Sequence, residues 1–118
     1  MPITNAIASV AVRSLKDASA WYEKVLGRPA DSRPMPEVAE WKFERGGWLQ
    51  IYELPARAGS GSVTLAVKNI ENQVARLDTL GIDTRRRTSN PKVETLMIAD
   101  PDGNSIAFAE TRDPSMAH

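Results

Sequence analysis

The chain carries one pattern twice, and few folds are open to a chain made of two copies of a short unit. Laying Val12 over Val67 brings Ser9-Val10-Ala11-Val12-Arg13-Ser14-Leu15 onto Thr64-Leu65-Ala66-Val67-Lys68-Asn69-Ile70. Both strings alternate small or polar residues with aliphatic ones, the period of a half-buried strand. Both reach a residue, Ser14 or Asn69, whose side chain accepts a bond from an orphan N–H in a first helical turn. Apolar residues then recur at steps of three and four: Leu15, Ala18, Tyr22, Val25 and Leu26 in the first copy, Ile70, Val74, Leu77 and Leu80 in the second. Each helical pattern ends in Leu-Gly, at Leu26-Gly27 and Leu80-Gly81, where glycine suits the left-handed residue after a helix.

The copies also finish alike, with Gly46-Gly47-Trp48-Leu49-Gln50-Ile51-Tyr52 matching Gly103-Asn104-Ser105-Ile106-Ala107-Phe108-Ala109 as a turn followed by an alternating strand. The turn before the last strand is Asp100-Pro101-Asp102-Gly103. Pro55-Ala56-Arg57-Ala58-Gly59-Ser60-Gly61 reads as the linker between the copies. The spacing predicts strands near 5–13, 29–34, 38–44, 47–53, 61–68, 83–88, 93–99 and 104–110, and helices near 15–26 and 70–80. One copy alone has too few elements to close a core, so the two are expected to pack together or to pair with a second chain.

Alternation sorts the strand side chains onto two faces. Ala8, Val10, Val12, Leu49, Ile51, Val63, Leu65, Val67, Leu96, Ile98, Ile106 and Phe108 form an aliphatic face expected to lie under the helices. The opposite face holds Ser9, Ala11, Trp48, Gln50, Tyr52, Ser62, Thr64, Ala66, Thr95, Met97, Ser105 and Ala107. A second packed layer would need larger apolar residues there, and a plain solvent face would carry Lys, Glu and Arg. Small residues ringed by Trp and Tyr suit a concave face that receives a ligand.

Composition removes several alternatives. The 118 residues set an expectation of one domain, 1–118. Lys and Arg number 15 and so do Asp and Glu, and zero net charge argues against a nucleic-acid binder. The chain has no Cys, and its one His is His118, expected to be a disordered tail residue; this disfavours thiolate chemistry, a His-based metal cage and a Ser-His-Asp triad. No apolar run is long enough for a membrane span, and Met1-Pro2-Ile3-Thr4 lacks the pattern of a signal peptide. A soluble cytoplasmic protein is the expectation.

The duplicated halves, the run Ser19 to Gly27 (Ser-Ala-Trp-Tyr-Glu-Lys-Val-Leu-Gly) and the late Asp100-Pro101-Asp102-Gly103-Asn104 resemble the vicinal oxygen chelate superfamily, across about residues 5–110. This group contains glyoxalases, bleomycin- and fosfomycin-resistance proteins and extradiol dioxygenases. Trp21-Tyr22 stands where the family usually has Phe-Tyr. The resemblance implies an α+β fold of two βαβββ modules, about 5–54 and 61–110, forming a curved mixed sheet around a cleft with helices on the outer face. It also implies a homodimer, which zero net charge does not oppose. Enzymes of the family hold a divalent metal on the concave face, and the corresponding positions here are Ile7, Gln50, Ser62 and Ala107. A divalent cation needs three or four N or O donors, usually with anionic charge, so no metal and no other cofactor is expected. Glu53 and Glu110 lie close by, but alternation sends both to the other face.

The candidate ligand-binding residues are Trp48, Gln50, Tyr52, Ser62, Thr64, Thr95, Met97 and Ser105. Trp48 and Tyr52 suit stacking on a flat molecule or packing within the cleft, while Gln50 suits a hydrogen bond to ligand or to a polar neighbour. Thr95 and Met97 match positions at which the resemblance places ligand contacts in fosfomycin-resistance relatives. Trp41 is assigned to the core, Arg85-Arg86-Arg87 to a solvated edge and Asp100–Asn104 to a turn. Glu40 and Arg45 are placed at the rim, and no proton carrier is assigned to the concave face. The first expectation is therefore metal-free binding of a small organic molecule, as in the sequestering resistance proteins. Bleomycin itself is disfavoured, because its resistance proteins are strongly acidic. The alternatives are a lyase, isomerase or dioxygenase of the same family, and a module that binds a protein partner. Whether the chain is an enzyme stays open at the level of sequence.

Overall fold

In chain order the computed structural model, which describes residues 2–112, has β1 (Ile7–Val12), α1 (Leu15–Leu26), β2 (Ser32–Met35), β3 (Val38–Lys42), β4 (Trp48–Glu53), a single 3₁₀ turn (Pro55–Arg57), β5 (Ser62–Ala66), α2 (Ile70–Thr79), β6 (Arg87–Ser89), β7 (Val93–Ala99) and β8 (Ser105–Thr111). The fold is α+β, with one four-stranded mixed sheet and one helix in each copy. The chain divides into two compact units. The first holds residues 2–61 and 100–104, and the second holds 62–99 and 105–112. His118 lies outside the described residues.

In the first unit the strand order is β1-β4-β3-β2, with β1 parallel to β4 and the other pairs antiparallel. The capping reading of the sequence holds: the Ser14 side chain accepts from the Asp17 N–H, and Gly27 closes α1 at φ 84°. The buried helix residues Leu15, Ala18, Tyr22 and Val25 meet Val10, Val12, Leu49 and Ile51 from the sheet. Trp41 shares that core, fully buried, with its indole N–H donating to the Arg28 carbonyl at 2.9 Å. The turn at Asp100–Asn104 belongs to this unit and is buried at both ends. Asp100 takes four hydrogen bonds there: from the Tyr22 hydroxyl (2.7 Å), the Asn104 amide side chain (2.8 Å) and the backbone N–H groups of Asp102 and Asn104 (both 2.9 Å). Burial, then the bond to Asp100, hold the Tyr22 phenol far above the usual tyrosine range.

The second unit repeats the order as β5-β8-β7-β6. Asn69 caps α2 by accepting from the Asn72 N–H at 3.0 Å. Ile70 and Leu77 of α2 are buried with Val63, Leu96, Ile98, Ile106 and Phe108. Glu53 and Glu110 do point to the helix side, and each has a partner there: Glu53 accepts from the Leu15 N–H (2.9 Å) and Glu110 from the Ile70 N–H (2.7 Å). A carboxylate at the end of a strand thus satisfies an orphan donor in each helix.

Two strands differ from expectation. β2 is Ser32–Met35 rather than 29–34, because Asp31 is tied to Arg28 and to the Lys42 N–H. β6 is Arg87–Ser89 rather than 83–88, because Asp83 bonds the Arg85 N–H and guanidinium and folds that stretch into a local turn. The Pro55–Arg57 turn stands where the sequence reads as linker.

Candidate functional site

The open face of the first sheet follows from strand register. Ile7, Ser9 and Ala11 of β1 lie opposite Trp48, Gln50 and Tyr52 of β4, which lie opposite Lys42, Glu40 and Val38 of β3. Three of the expected residues, Trp48, Gln50 and Tyr52, therefore share this face, each partly exposed. The Lys42 ammonium sits 5.9 Å from the Trp48 ring centroid, within the range of a cation–π contact.

Glu40 overturns the rim assignment. With Trp41 turned into the core, its neighbour Glu40 must face the open side, and its carboxylate accepts from the Gln50 amide at 2.8 Å. The Ser9 hydroxyl donates to the other end of that amide at 3.2 Å. Both ends of Gln50 are thus held by neighbouring side chains, and a carboxylate stands on the face where the sequence assigned none. Arg45 is exposed, in the turn between β3 and β4.

Where β1 and β4 end, a cavity of about 360 Å³ is lined by Ser9, Ala11, Tyr52, Arg57, Ser60 and Gly61. Ala11 is buried although it belongs to the open face. The Asn104 side chain donates to the Ala11 carbonyl at 2.9 Å and accepts from the N–H groups of Gly59 (3.1 Å) and Gly61 (2.7 Å). Sequence reading passed over Arg57, Ser60 and Gly61. The available signal was Pro55, whose fixed φ favours the turn that presents Arg57.

The other five expected residues lie together in the second unit. Register puts Ser62, Thr64, Ser105, Ala107, Met97 and Thr95 on one face of its sheet. The Thr95 hydroxyl is paired with that of Thr88. In the arginine run, Arg85 pairs with Asp83, and Arg87 pairs with Glu71 and lies 3.9 Å from Glu94. Arg85 holds the Asp83 carboxyl down at about 2, and Arg87 keeps Glu71 below the usual carboxylate range. These arginines are largely matched by their own carboxylates.

Residues 8–109 match the glyoxalase-like domain family. The chain belongs to that family. That match and a 33% identical glyoxalase/bleomycin resistance protein support the vicinal oxygen chelate superfamily for this glyoxalase-like domain. It is similar to a glyoxalase/bleomycin resistance protein from Catenulispora acidiphila, with 33% identity over 90% of this chain and 96% of the other, at a TM-score of 0.81. TnmS3, an antibiotic binding protein from Streptomyces sp. CB03234, shares the fold at 22% identity, 94% and 98% coverage and a TM-score of 0.81. A lactoylglutathione lyase from Agrobacterium tumefaciens does so at 19% identity, 93% and 95% coverage and a TM-score of 0.76. No curated protein matches the chain.

The family's metal does not suit the residues of this glyoxalase-like domain. Ile7 offers hydrocarbon, 53% exposed; Gln50 is committed to Ser9 and Glu40; Ser62 offers one neutral hydroxyl and Ala107 none. Among the described residues no three His, Cys, Asp or Glu lie together as a metal-binding group. Nor is any helix there long and apolar enough to cross a membrane.

Proposed function

We propose that this glyoxalase-like domain protein binds a small organic molecule without a metal ion. The residues we assign to ligand contact are, in the first unit, Trp48, Gln50 and Tyr52 on its sheet's open face and, considered separately in the second unit, Ser62, Thr64, Thr95, Met97 and Ser105 on one face of its sheet. The observation that carries the reading is the first sheet's open face. Aromatic side chains flank a polar centre held by Ser9, Gln50 and Glu40, beside a cavity of ligand-binding size. The likeness to an antibiotic binding protein supports it. We also assign the chain to one domain, since the family match spans both units, to a homodimer, and to the cytoplasm.

The test is a thermal-shift and calorimetry screen of aromatic metabolites and antibiotics against the purified protein, with and without EDTA. A compound that raises the melting temperature, quenches Trp emission and binds equally with EDTA supports the reading. It falls if no compound does so, or if binding needs a metal.

The Glu40 carboxylate favours a second reading as a metal-independent lyase or isomerase. It is a proton carrier on the open face, positioned by Gln50. Turnover of a screened ligand that disappears in Glu40→Gln, with binding retained, would establish it.

A further inference from the structure

The lining of the cavity at the ends of β1 and β4 is one-sided in charge. It holds one guanidinium, three hydroxyls and two small residues, with no carboxylate. Elsewhere, Arg13 faces Asp102, Arg28 faces Asp31, Arg85 faces Asp83, and Arg87 and Arg112 face Glu94, while the exposed Arg33 and Arg45 have no carboxylate partner among the described residues and line no such cavity. Arg57 has no carboxylate partner among the described residues, and the Tyr52 hydroxyl has no hydrogen-bond partner there. Two donors lining one cavity thus lack a protein acceptor among the described residues.

The backbone that carries Arg57 is fixed on both sides. Leu54 N–H bonds the Val12 carbonyl (2.9 Å), Arg57 N–H bonds the Leu54 carbonyl (3.0 Å), and the Ser60 hydroxyl bonds the Arg57 carbonyl (3.2 Å). Beyond it, Gly59 and Gly61 donate to Asn104. Gly59 has φ +99°, and a Cβ there would come within 2.6 Å of the Asp102 carbonyl oxygen, so the loop has little freedom to re-form. A guanidinium hung from a fixed loop loses less freedom on binding than one on a mobile loop. Its fork of donors matches a carboxylate or another planar oxyanion.

We propose that this cavity binds the oxyanion end of a small organic acid, with Arg57 and Tyr52 as its donors. The inference rests on the small-molecule reading above and names the ligand's chemical class. Glu40 sets the other end. It lies across from Gln50, two residues and so about 7 Å along the strand from Tyr52, and repels a second anion there. The ligand therefore carries its negative charge at one end.

The probes are 4-hydroxybenzoate, its neutral isostere 4-hydroxybenzamide, and inorganic phosphate, titrated by calorimetry into the full chain and into Arg57→Gln. Arg57 is exposed, and an unchanged melting temperature confirms that the variant is folded. The benzoate should bind the parent about tenfold more tightly than the benzamide, and Arg57→Gln should remove that margin. Raising salt to about 0.5 M should weaken the benzoate and leave the benzamide unchanged. Equal binding of the two aromatic probes, or benzoate binding untouched by Arg57→Gln, overturns the anion assignment while leaving small-molecule binding intact. Phosphate binding as tightly as the benzoate overturns the organic acid in favour of a bare anion site. No binding by any probe at millimolar concentration overturns the anion assignment, and the broader reading is then judged by its own screen.

Discussion

Asn104 shows how much one side chain supports in the first unit. It is fully buried, and its carboxamide makes four bonds: two from the glycine N–H groups of the loop, one to Ala11 on β1 and one to Asp100. Asn104→Ala strands those partners away from water, and each unsatisfied buried group costs about 1–3 kcal/mol. The variant should lose about 3 kcal/mol or more in urea unfolding. Asn104→Asp should fare no better, since it swaps a donor for a carboxylate beside the Asp100 carboxylate. Near-parental stability in either would show that the loop has another anchor. Tyr22 gives a pH-dependent case. Its folded phenol titrates above the unfolded value of about 10.0, so its contribution is complete below that pH and declines as pH rises past it. Tyr22→Phe should be less stable than the parent at pH 8, by about 1–2 kcal/mol for the lost bond to Asp100. The gap should shrink steadily between about pH 10 and 11.5. A constant gap across that range would mean that the Tyr22 phenol is not protected by the fold.

Each element depends on how its ends are satisfied, and the helices make that measurable. Glu53 and Glu110 reach from strand ends to the first turns of α1 and α2. Replacing either with Ala removes an acceptor and a favourable charge at a helix N-terminus, a loss of about 1 kcal/mol each. Chemical denaturation should show the midpoint falling with the slope unchanged. Glu→Gln at either position should recover part of the loss, because its carbonyl still accepts. This scale also shows what the sequence could convey. The helix limits were legible to within a residue, because Ser14, Asn69 and Gly27 cap them by local chemistry. The shared face of Trp48, Gln50 and Tyr52 was legible because alternation is a property of one strand. β2 and β6 were not, because side chains of Asp31 and Asp83 redirect the backbone, which periodicity does not register. Glu40 was recoverable: assigning Trp41 to the core already forces Glu40 to the opposite face. Arg57 was hidden because Pro and Gly flank it in a stretch that has the composition of a linker, while its rigidity comes from Asn104, more than forty residues away in the chain.

For the whole molecule, the residues that stand at the metal positions implied by the resemblance have a thermodynamic consequence. A resident cation that binds the folded chain alone stabilises it by mass action, by about 4 kcal/mol at roughly a thousand times its Kd. For a chain of this length that is about 15 °C in melting temperature. The positions where the resemblance puts metal ligands carry Ile7, Gln50, Ser62 and Ala107, of which only two have a polar side-chain atom, both uncharged. Coordination by two neutral oxygens does not offset the dehydration of a divalent cation. The melting temperature should therefore move by less than about 1 °C with millimolar zinc, nickel, manganese or magnesium, and no further with EDTA. Elemental analysis of protein purified without chelator should find no stoichiometric transition metal. Ligand affinity should be equally indifferent, because both ends of the Gln50 amide are already engaged by Ser9 and Glu40. A rise of several degrees with one metal, reversed by EDTA, would reveal a donor set outside those four positions. That would overturn the proposed metal-free reading and favour a metal-dependent activity.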